Sequence, residues 1–264
     1  MGTVAGFIGN KLARYLAQPS HHHGTGPATD QTHLLACVQL ADVILVEGTS
    51  RFSTAIKYLT QSTWSHAALY VGMRVLRLGE APEPCFLEAD VVAGVRLVGV
   101  EEFAGYHVRI CRAAGLDEAE RALVVAFALS RLGAQYDLRN VIDLARYLLP
   151  TPPVPIHFRR RMIAFGSGDP TRAICSTLVA QAFQSVNYPI LPVITHTLSH
   201  APDCQGCIDE ILTIRDHHLF VPRDFDVSPY FAVIKPMLEN GMSAIAATRH
   251  AVSISNSIES SIGM

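Results

Sequence analysis

A series of short apolar segments between residues 41 and 113 constrains the fold of this chain more than any other feature. Each segment is five to seven residues long and is bounded by Gly, Pro or charged residues; in order they are DVILVEG, HAALYVG, RVLRL, CFLEAD, GVRLVGV and HVRICRA. Segments of this length with such boundaries are typical of strands. Their spacing predicts a meandering antiparallel sheet or a small barrel.

Helical patterns come mainly after these strands. One helix, SRFSTAIKYLTQS, follows the first strand and has a serine N-cap at Ser50; three more are predicted in LDEAERALVVAFALSRLG, DLRNVIDLARYLL and SGDPTRAICSTLVAQAFQSV. The last of them is expected to begin near Asp169 or Pro170. Beyond Tyr188 the chain is predicted to be rich in loops, with one late strand in YFAVIKP. Strands followed by helices that cover them are typical of the α+β class.

The two ends of the chain differ in pattern from its centre. An amphipathic helix is predicted near the N-terminus from the spacing of Val4, Phe7, Ile8, Leu12, Tyr15 and Leu16. A linker rich in Gly, Pro and polar residues follows over 18–31. The predicted organisation is therefore a helix and flexible linker over 1–32, one domain over 33–238 and a C-terminal tail over 239–264. The N-terminal helix could pack on the domain or make a peripheral membrane contact, and both interpretations remain open.

Composition narrows the class of partner and the compartment. Hydrophobic residues make up 49% and charged residues 17% of the chain, and the net charge of -2 offers no basic surplus for nucleic acid. Six cysteines are too few for a disulfide scaffold in a chain of this length, so reduced thiols are expected. The N-terminus lacks the basic region of a signal peptide, and no run reaches the roughly 18 apolar residues of a membrane span. A cytoplasmic protein, or one peripheral at the inner face of the membrane, is predicted.

Cys175 has the setting of a nucleophile. It lies in the first turns of a predicted helix, where free backbone N–H groups and the helix dipole stabilise a thiolate. A thiolate of this kind needs an imidazole to exchange its proton and a polar group to orient that imidazole. His66, at the start of one predicted strand, and Glu88, near the end of another, suit these tasks. From the residues alone, a small core cysteine and a structural histidine remain alternatives.

Four separated motifs carry a resemblance to a known family. ADVILVEGTSRFSTAIKYLTQSTWSHAALYVG, FLEAD, AQYDLRNVIDLARYL and ICSTLVAQAF together resemble the YiiX/YebB-like branch of the NlpC/P60 superfamily. The resemblance covers roughly Ala41 to Val186. It implies a circularly permuted papain-like fold, in which the histidine strand precedes the cysteine helix, as His66 precedes Cys175 here. The expected architecture is an antiparallel sheet or small barrel packed against helices that include the cysteine-bearing one.

The resemblance also implies roles for individual residues. Cys175 would attack a carbonyl, His66 would act as general base and acid, and Glu88 would orient His66. Tyr136 matches a tyrosine beside the cleft that could assist an oxyanion, although a buried anchoring role is equally open. Trp64 and Ser65 are candidates for the cleft wall, with core packing as the alternative for Trp64.

Two further clusters suggest other chemistry. His196, His200, Cys204 and Cys207 use the residue types of a zinc site, but their spacing matches no known finger or ribbon, so metal binding is only a weak alternative and no cofactor is expected. Arg159, Arg160 and Arg161 form a basic run that is either a solvated surface or a site for a substrate carboxylate or phosphate.

The predicted function is that of a thiol hydrolase that cleaves an amide, peptide, ester or thioester bond through an acyl-enzyme on Cys175. Its expected partner is an amide- or acyl-containing small molecule, peptide or lipid. A lipid-directed acyltransferase of the same fold, a non-catalytic binding module and a zinc-stabilised interaction protein remain alternatives.

Overall fold

A six-stranded antiparallel sheet forms the centre of the fold. The computed structural model of the chain describes residues 26–74, 81–90, 93–134, 174–198 and 207–236. The sheet is built from β1 (Val43–Val46), β2 (His66–Arg74), β3 (Glu83–Asp90), β4 (Gly94–Val98), β5 (Val108–Ala113) and the late β8 (Phe231–Ile234). Its order is β4-β3-β2-β1-β5-β8. A separate two-stranded ribbon pairs β6 (Val193–Leu198) with β7 (Ile208–Thr213).

Helices flank the strands of the central sheet in sequence. They are α1 (Gln31–Cys37), α2 (Arg51–Thr60), α3 (Glu118–Leu129), α4 (Ile174–Gln184) and α5 (Pro222–Val227), with two 3-10 turns at Val100–Phe103 and His217–Leu219. The helices that pack on the sheet include α3 and α4. This arrangement confirms the predicted α+β class and the antiparallel sheet. None of the helices in the described part of the chain has the length and apolar character needed to cross a membrane.

Local sequence explains where the helices begin. The hydroxyl oxygen of Ser50 accepts a hydrogen bond from the backbone N–H of Ser53 at 3.0 Å and so caps α2. Asp117 and Glu120 form a reciprocal capping box at the start of α3. These caps satisfy backbone donors that a helix N-terminus leaves without partners, which is why both starts could be predicted.

The sheet has a core on each face because side chains alternate along its strands. Leu69 and Leu87 point to the face that α3 and α4 cover and pack in a cluster with Phe183. Ala68 and Phe86 point to the opposite face, where the cluster continues to residues of α1 and of the first 3-10 turn. The helix that carries Cys175 therefore packs directly on β2 and β3.

Two regions differ from the sequence-based expectation. Thr29, assigned to the linker, is buried, and its hydroxyl oxygen accepts from the N–H of Val108 at 2.9 Å. Asp30 then caps α1. These polar side chains satisfy backbone groups of the fold, a role that linker composition does not reveal. The ribbon of β6 and β7 was predicted as loop; all of its residues are exposed, so neither strand shows the alternation of a half-buried strand.

Several sequence predictions lie outside the described residues. These are the N-terminal amphipathic helix, the C-terminal tail, the helix predicted over 137–149 and most of the RVLRL strand, of which only Arg74 is described, as the last residue of β2.

Candidate active site

His66 stands at the beginning of β2. It pairs with Val46, the last residue of β1, in the antiparallel register. The preceding turn is fixed by Ser65, whose buried hydroxyl oxygen accepts a hydrogen bond from the N–H of Gly48 at 2.9 Å. The imidazole is 27% exposed, so it can be approached from solvent while its backbone is held in the sheet.

Glu88 lies on β3, diagonally across from His66. It pairs directly with Ala68, two residues along β2 and on the same face as His66. Diagonal neighbours lie within reach of a long side chain. The Nε2 atom of His66 is 2.8 Å from Oε2 of Glu88, and because a carboxylate only accepts, Nε2–H is the donor. The register thus offsets the two residues by two positions along the strands.

Cys175 reaches the same imidazole from α4, which packs on the other face of the sheet, and the two meet where β2 begins. It is the second residue of α4 as described, and it is 5% exposed. Its sulfur lies beside the side chain of His66 and near the backbone N–H groups of Ala67 and Ser176, which lower the pKa of the thiol. Since Nε2 is engaged by Glu88, we assign the side of the ring that faces the sulfur to Nδ1. The structure thus places the imidazole of His66 between Cys175 and the carboxylate of Glu88.

The charges of Glu88, His66 and Cys175 favour a thiolate–imidazolium pair. Burial by itself raises the pKa of the Cys175 thiol, but the charge and hydrogen bond of His66 and the two backbone donors outweigh it and lower the pKa below its ordinary value. Burial by itself lowers the pKa of His66, but the Cys175 thiolate and the Glu88 carboxylate raise it well above its ordinary value. Each of these three charges is therefore stabilised by the opposite charge beside it.

A fourth side chain, Arg96, also contacts Glu88. Arg96 lies directly opposite Glu88 on β4, and its Nε and one terminal nitrogen are 3.0 and 2.7 Å from Oε1. Burial raises the pKa of the Glu88 carboxyl, but the bonds and charges of His66 and Arg96 lower it overall. Sequence reasoning missed Arg96. The available signal was a cation in the middle of the apolar strand GVRLVGV, next in the meander after FLEAD.

Trp64 belongs to the core but also borders a cavity. It is 3% exposed, and its indole N–H donates to Asp226 at 3.0 Å. A cavity of about 440 Å³ lies against it, bordered also by His107, Arg109 and Arg223. The described residues around this cavity do not include Cys175, His66 or Glu88.

The weak zinc alternative loses one of its candidate ligands at Cys207, and the expectation of reduced thiols is wrong there. Cys207 is disulfide-bonded, so its sulfur is not available as a thiolate ligand. Cysteine count is a property of the whole chain, whereas a disulfide needs only two sulfurs brought together locally. His196 is exposed and lies 3.8 Å from Glu210. Within the described residues, the side chains whose ligand atoms come close enough to share a metal ion are a different set, Asp216, His217 and His218.

The remaining predicted site residues lie outside the described part of the chain. They are Tyr136, Arg159, Arg160, Arg161, His200 and Cys204.

Comparison with known proteins gives a family match. Residues 38–147 match the family model described as permuted papain-like amidase enzyme, YaeF/YiiX, C92 family. The matched range includes His66, Glu88 and Arg96 and ends before Cys175. No curated protein matches the chain.

One solved structure is similar over most of its length. It is the crystal structure of metalloprotein yiiX from Escherichia coli O157:H7, with 17% sequence identity, coverage of 76% of this chain and 98% of that chain, and a TM-score of 0.43. The family match is the stronger finding because it covers the strands that carry the imidazole and the carboxylate. Over residues 38–147 the chain is therefore similar to permuted papain-like amidases of the YaeF/YiiX type, which indicates a cysteine hydrolase.

Proposed function

We propose that the chain hydrolyses an amide bond through an acyl-enzyme on Cys175. The observation that carries this proposal is the imidazole of His66, which is bonded to Glu88 at 2.8 Å and interacts with the thiol of Cys175. A thiolate with a lowered pKa is the nucleophilic form of cysteine, and an imidazolium beside it is the acid that an amine leaving group requires.

The first half of the reaction forms a thioester. The Cys175 thiolate attacks the carbonyl carbon, and the carbonyl oxygen takes up negative charge. Backbone N–H groups in the first turn of a helix lack intrahelical partners and can donate to such an oxyanion. As the C–N bond breaks, His66 transfers its Nδ1 proton to the departing nitrogen, which leaves as a neutral amine.

The second half of the reaction releases the acid. The neutral imidazole of His66 removes a proton from water, and the resulting hydroxide attacks the thioester carbon. The C–S bond then breaks and the thiolate returns, now paired again with imidazolium. Glu88 holds the ring orientation through both halves because Nε2–H donates to it throughout.

Exposure suggests how a substrate approaches. Cys175 is 5% exposed and the imidazole of His66 is 27% exposed. We therefore infer that the acyl carbon approaches along the exposed side of the ring. The substrate class that we propose is an amide- or acyl-containing small molecule, peptide or lipid. Transfer of the acyl group to an acceptor other than water would require that acceptor to approach on the same side.

The proposal is tested with p-nitrophenyl acetate, whose acetyl group is small enough to reach a poorly exposed sulfur. The intact protein should release p-nitrophenolate with turnover, and mass spectrometry of a quenched sample should place the acetyl group on Cys175. Cys175→Ala should lose both signals. His66→Ala should lose turnover, because neither thiolate formation nor water activation remains.

Cys37→Ser is the matched control, since Cys37 is a free cysteine in α1 that is only partly buried. This variant should keep the turnover of the intact protein. Equal turnover in Cys175→Ala and in the intact protein would overturn the proposal, as would stoichiometric acetylation of Cys175 without any hydrolysis. Acetyl transfer to an added amine that outpaces hydrolysis would instead support the transferase alternative.

A further inference from the structure

Arg96 holds one oxygen of a carboxylate whose other oxygen holds His66. Its two nitrogens contact Oε1 of Glu88 at 3.0 and 2.7 Å, while Oε2 is 2.8 Å from the imidazole. The three side chains come from three adjacent strands, and Glu88 and Arg96 form a direct cross-strand pair. The register of the sheet therefore determines that one oxygen of Glu88 contacts the guanidinium and the other contacts the imidazole.

We propose that Arg96 is a positioning residue of the reaction. It holds one oxygen of Glu88 so that the other faces His66, and it shares the charge of the carboxylate so that His66 can release its proton to the leaving group. This inference rests on the function proposed above for Cys175 and His66.

The geometric part of the argument concerns the freedom of Glu88. A glutamate side chain has three rotatable bonds, and with His66 as its only partner it could turn away from the ring. The planar guanidinium limits this freedom, because two N–H groups in a fixed arrangement converge on one oxygen. A second carboxylate also holds the guanidinium in place: a terminal nitrogen of Arg96 lies 2.9 Å from Glu102 on the first 3-10 turn.

The electrostatic part concerns the strength of His66 as an acid. A buried carboxylate bound only to an imidazolium would hold the proton strongly, and an acid that holds its proton too strongly transfers it slowly. The cation at Arg96 offsets part of the negative charge of Glu88 and so weakens that hold. Glu102 acts in the opposite sense, because it offsets part of the charge of Arg96.

The charged and titratable groups around this carboxylate come from five elements. They are His66 on β2, Asp90 on β3, Arg96 on β4, Glu102 on the first 3-10 turn and Cys175 on α4. Their charges alternate from Glu102 through Arg96, Glu88 and His66 to the sulfur. Loss of one charge should therefore change the proton affinity of His66 in a direction that the order of the charges determines.

The test compares Arg96→Met, Arg96→Lys and Glu102→Gln, with Arg131→Met as the matched control at an exposed arginine of the turn after α3. The first measurement is the titration midpoint of His66, followed by NMR in protein with isotope-labelled histidine and assigned with His66→Ala. The second is the turnover of p-nitrophenyl acetate, and thermal unfolding of each variant is recorded beside both.

For Arg96→Met we expect the midpoint of His66 to rise by about one pH unit, because Glu88 is no longer shared. Turnover should fall about 10- to 100-fold, the range that follows removal of a hydrogen-bonded support behind an active-site ligand. Arg96→Lys should return the midpoint of His66 most of the way to that of the intact protein but restore little of the turnover. A lysine supplies the positive charge but lacks the two N–H groups of the planar guanidinium that converge on Oε1. Glu102→Gln should shift the midpoint downward, opposite to Arg96→Met.

A normal midpoint and normal turnover in Arg96→Met would overturn the inference. So would a purely structural result, in which Arg96→Met lowers the unfolding temperature but leaves the midpoint of His66 in place. Glu102 is exposed, so Glu102→Gln tests the charge argument even if the arginine variants do not fold; an unchanged or raised midpoint would refute it. If Cys175→Ala keeps turnover, the proposed function fails; if Cys175→Ala is inactive while Arg96→Met is normal, only this inference fails.

Discussion

Replacement of Glu88 by glutamine tests the electrostatic origin of the reactive thiolate. Gln has nearly the same shape and can still accept from His66 through its carbonyl oxygen, but it carries no charge. The imidazolium then loses its anionic partner at 2.8 Å. Since the Cys175 thiolate depends on that imidazolium, the thiol should become less acidic although the substituted residue is not predicted to touch the sulfur.

The size of the effect follows from the geometry. An opposite charge at this distance shifts a pKa by about one to three units. The carboxylate is 5% exposed, which limits screening by water, but it is shared with Arg96, so a value near the middle of the range applies. A shift of about two units corresponds to about 2.7 kcal/mol, or roughly a hundredfold loss in the ratio of ion pair to neutral pair.

Alkylation by iodoacetamide measures this ratio because the thiolate is the reacting form. The rate constant at Cys175 is determined by peptide mass spectrometry from pH 4 to pH 10. In the intact protein the rate should rise at a pH below the ordinary thiol range, since the pKa of Cys175 is lowered. In Glu88→Gln this rise should move to higher pH by about two units, so the rate at each pH below the rise should fall.

The matched control is Asp42→Asn, another exchange of a buried carboxylate for an amide. Asp42 precedes β1, at the end of that strand opposite to the one that pairs with His66. This variant should destabilise the fold without moving the pH profile of Cys175. If Glu88→Gln has the same profile as the intact protein, the lowered thiol pKa does not depend on the carboxylate and the reasoning is wrong.

Three further predictions concern stability and thiol chemistry. Asp42→Asn removes the charge that Arg112 contacts through two nitrogens at 2.9 and 2.7 Å, so the free energy of unfolding in urea should fall by about 3 kcal/mol. Tyr188→Phe removes the hydroxyl that donates to the carbonyl of Ala114 at 2.8 Å, and the same urea measurement should show a loss of about 1 to 1.5 kcal/mol. Cys111 should not react with iodoacetamide at pH 8 until urea is added, because burial raises the pKa of its thiol to about 12; labelling in the folded protein at the rate of a free thiol would contradict this.

The sequence alone was sufficient for the parts of the fold that local patterns specify. Ser50 was visible as a helix cap because a cap uses residues only three positions apart. The strands of the meander were visible because their apolar runs end at Gly, Pro or charged residues. The order of His66, Glu88 and Cys175 along the chain also pointed to one permuted family before their distances were known.

Other features depended on which strand lies beside which. Nothing in the sequence near Arg96 requires it to contact Glu88; the register of β3 and β4 places the two side chains opposite each other. The ribbon of β6 and β7 has no buried face, so its pairing left no periodic signal.

What the sequence by itself determined was most of the strands and helices and the candidate thiol, imidazole and carboxylate. What only the tertiary structure decided was their chemistry: a thiol with a lowered pKa, an imidazolium with a raised one, and a carboxylate shared with a guanidinium. The physical reason is that burial and charge–charge distances set these properties. The distance between Cys175 and His66 joins residues more than 100 positions apart, and it exists only once the helix of Cys175 packs on the sheet.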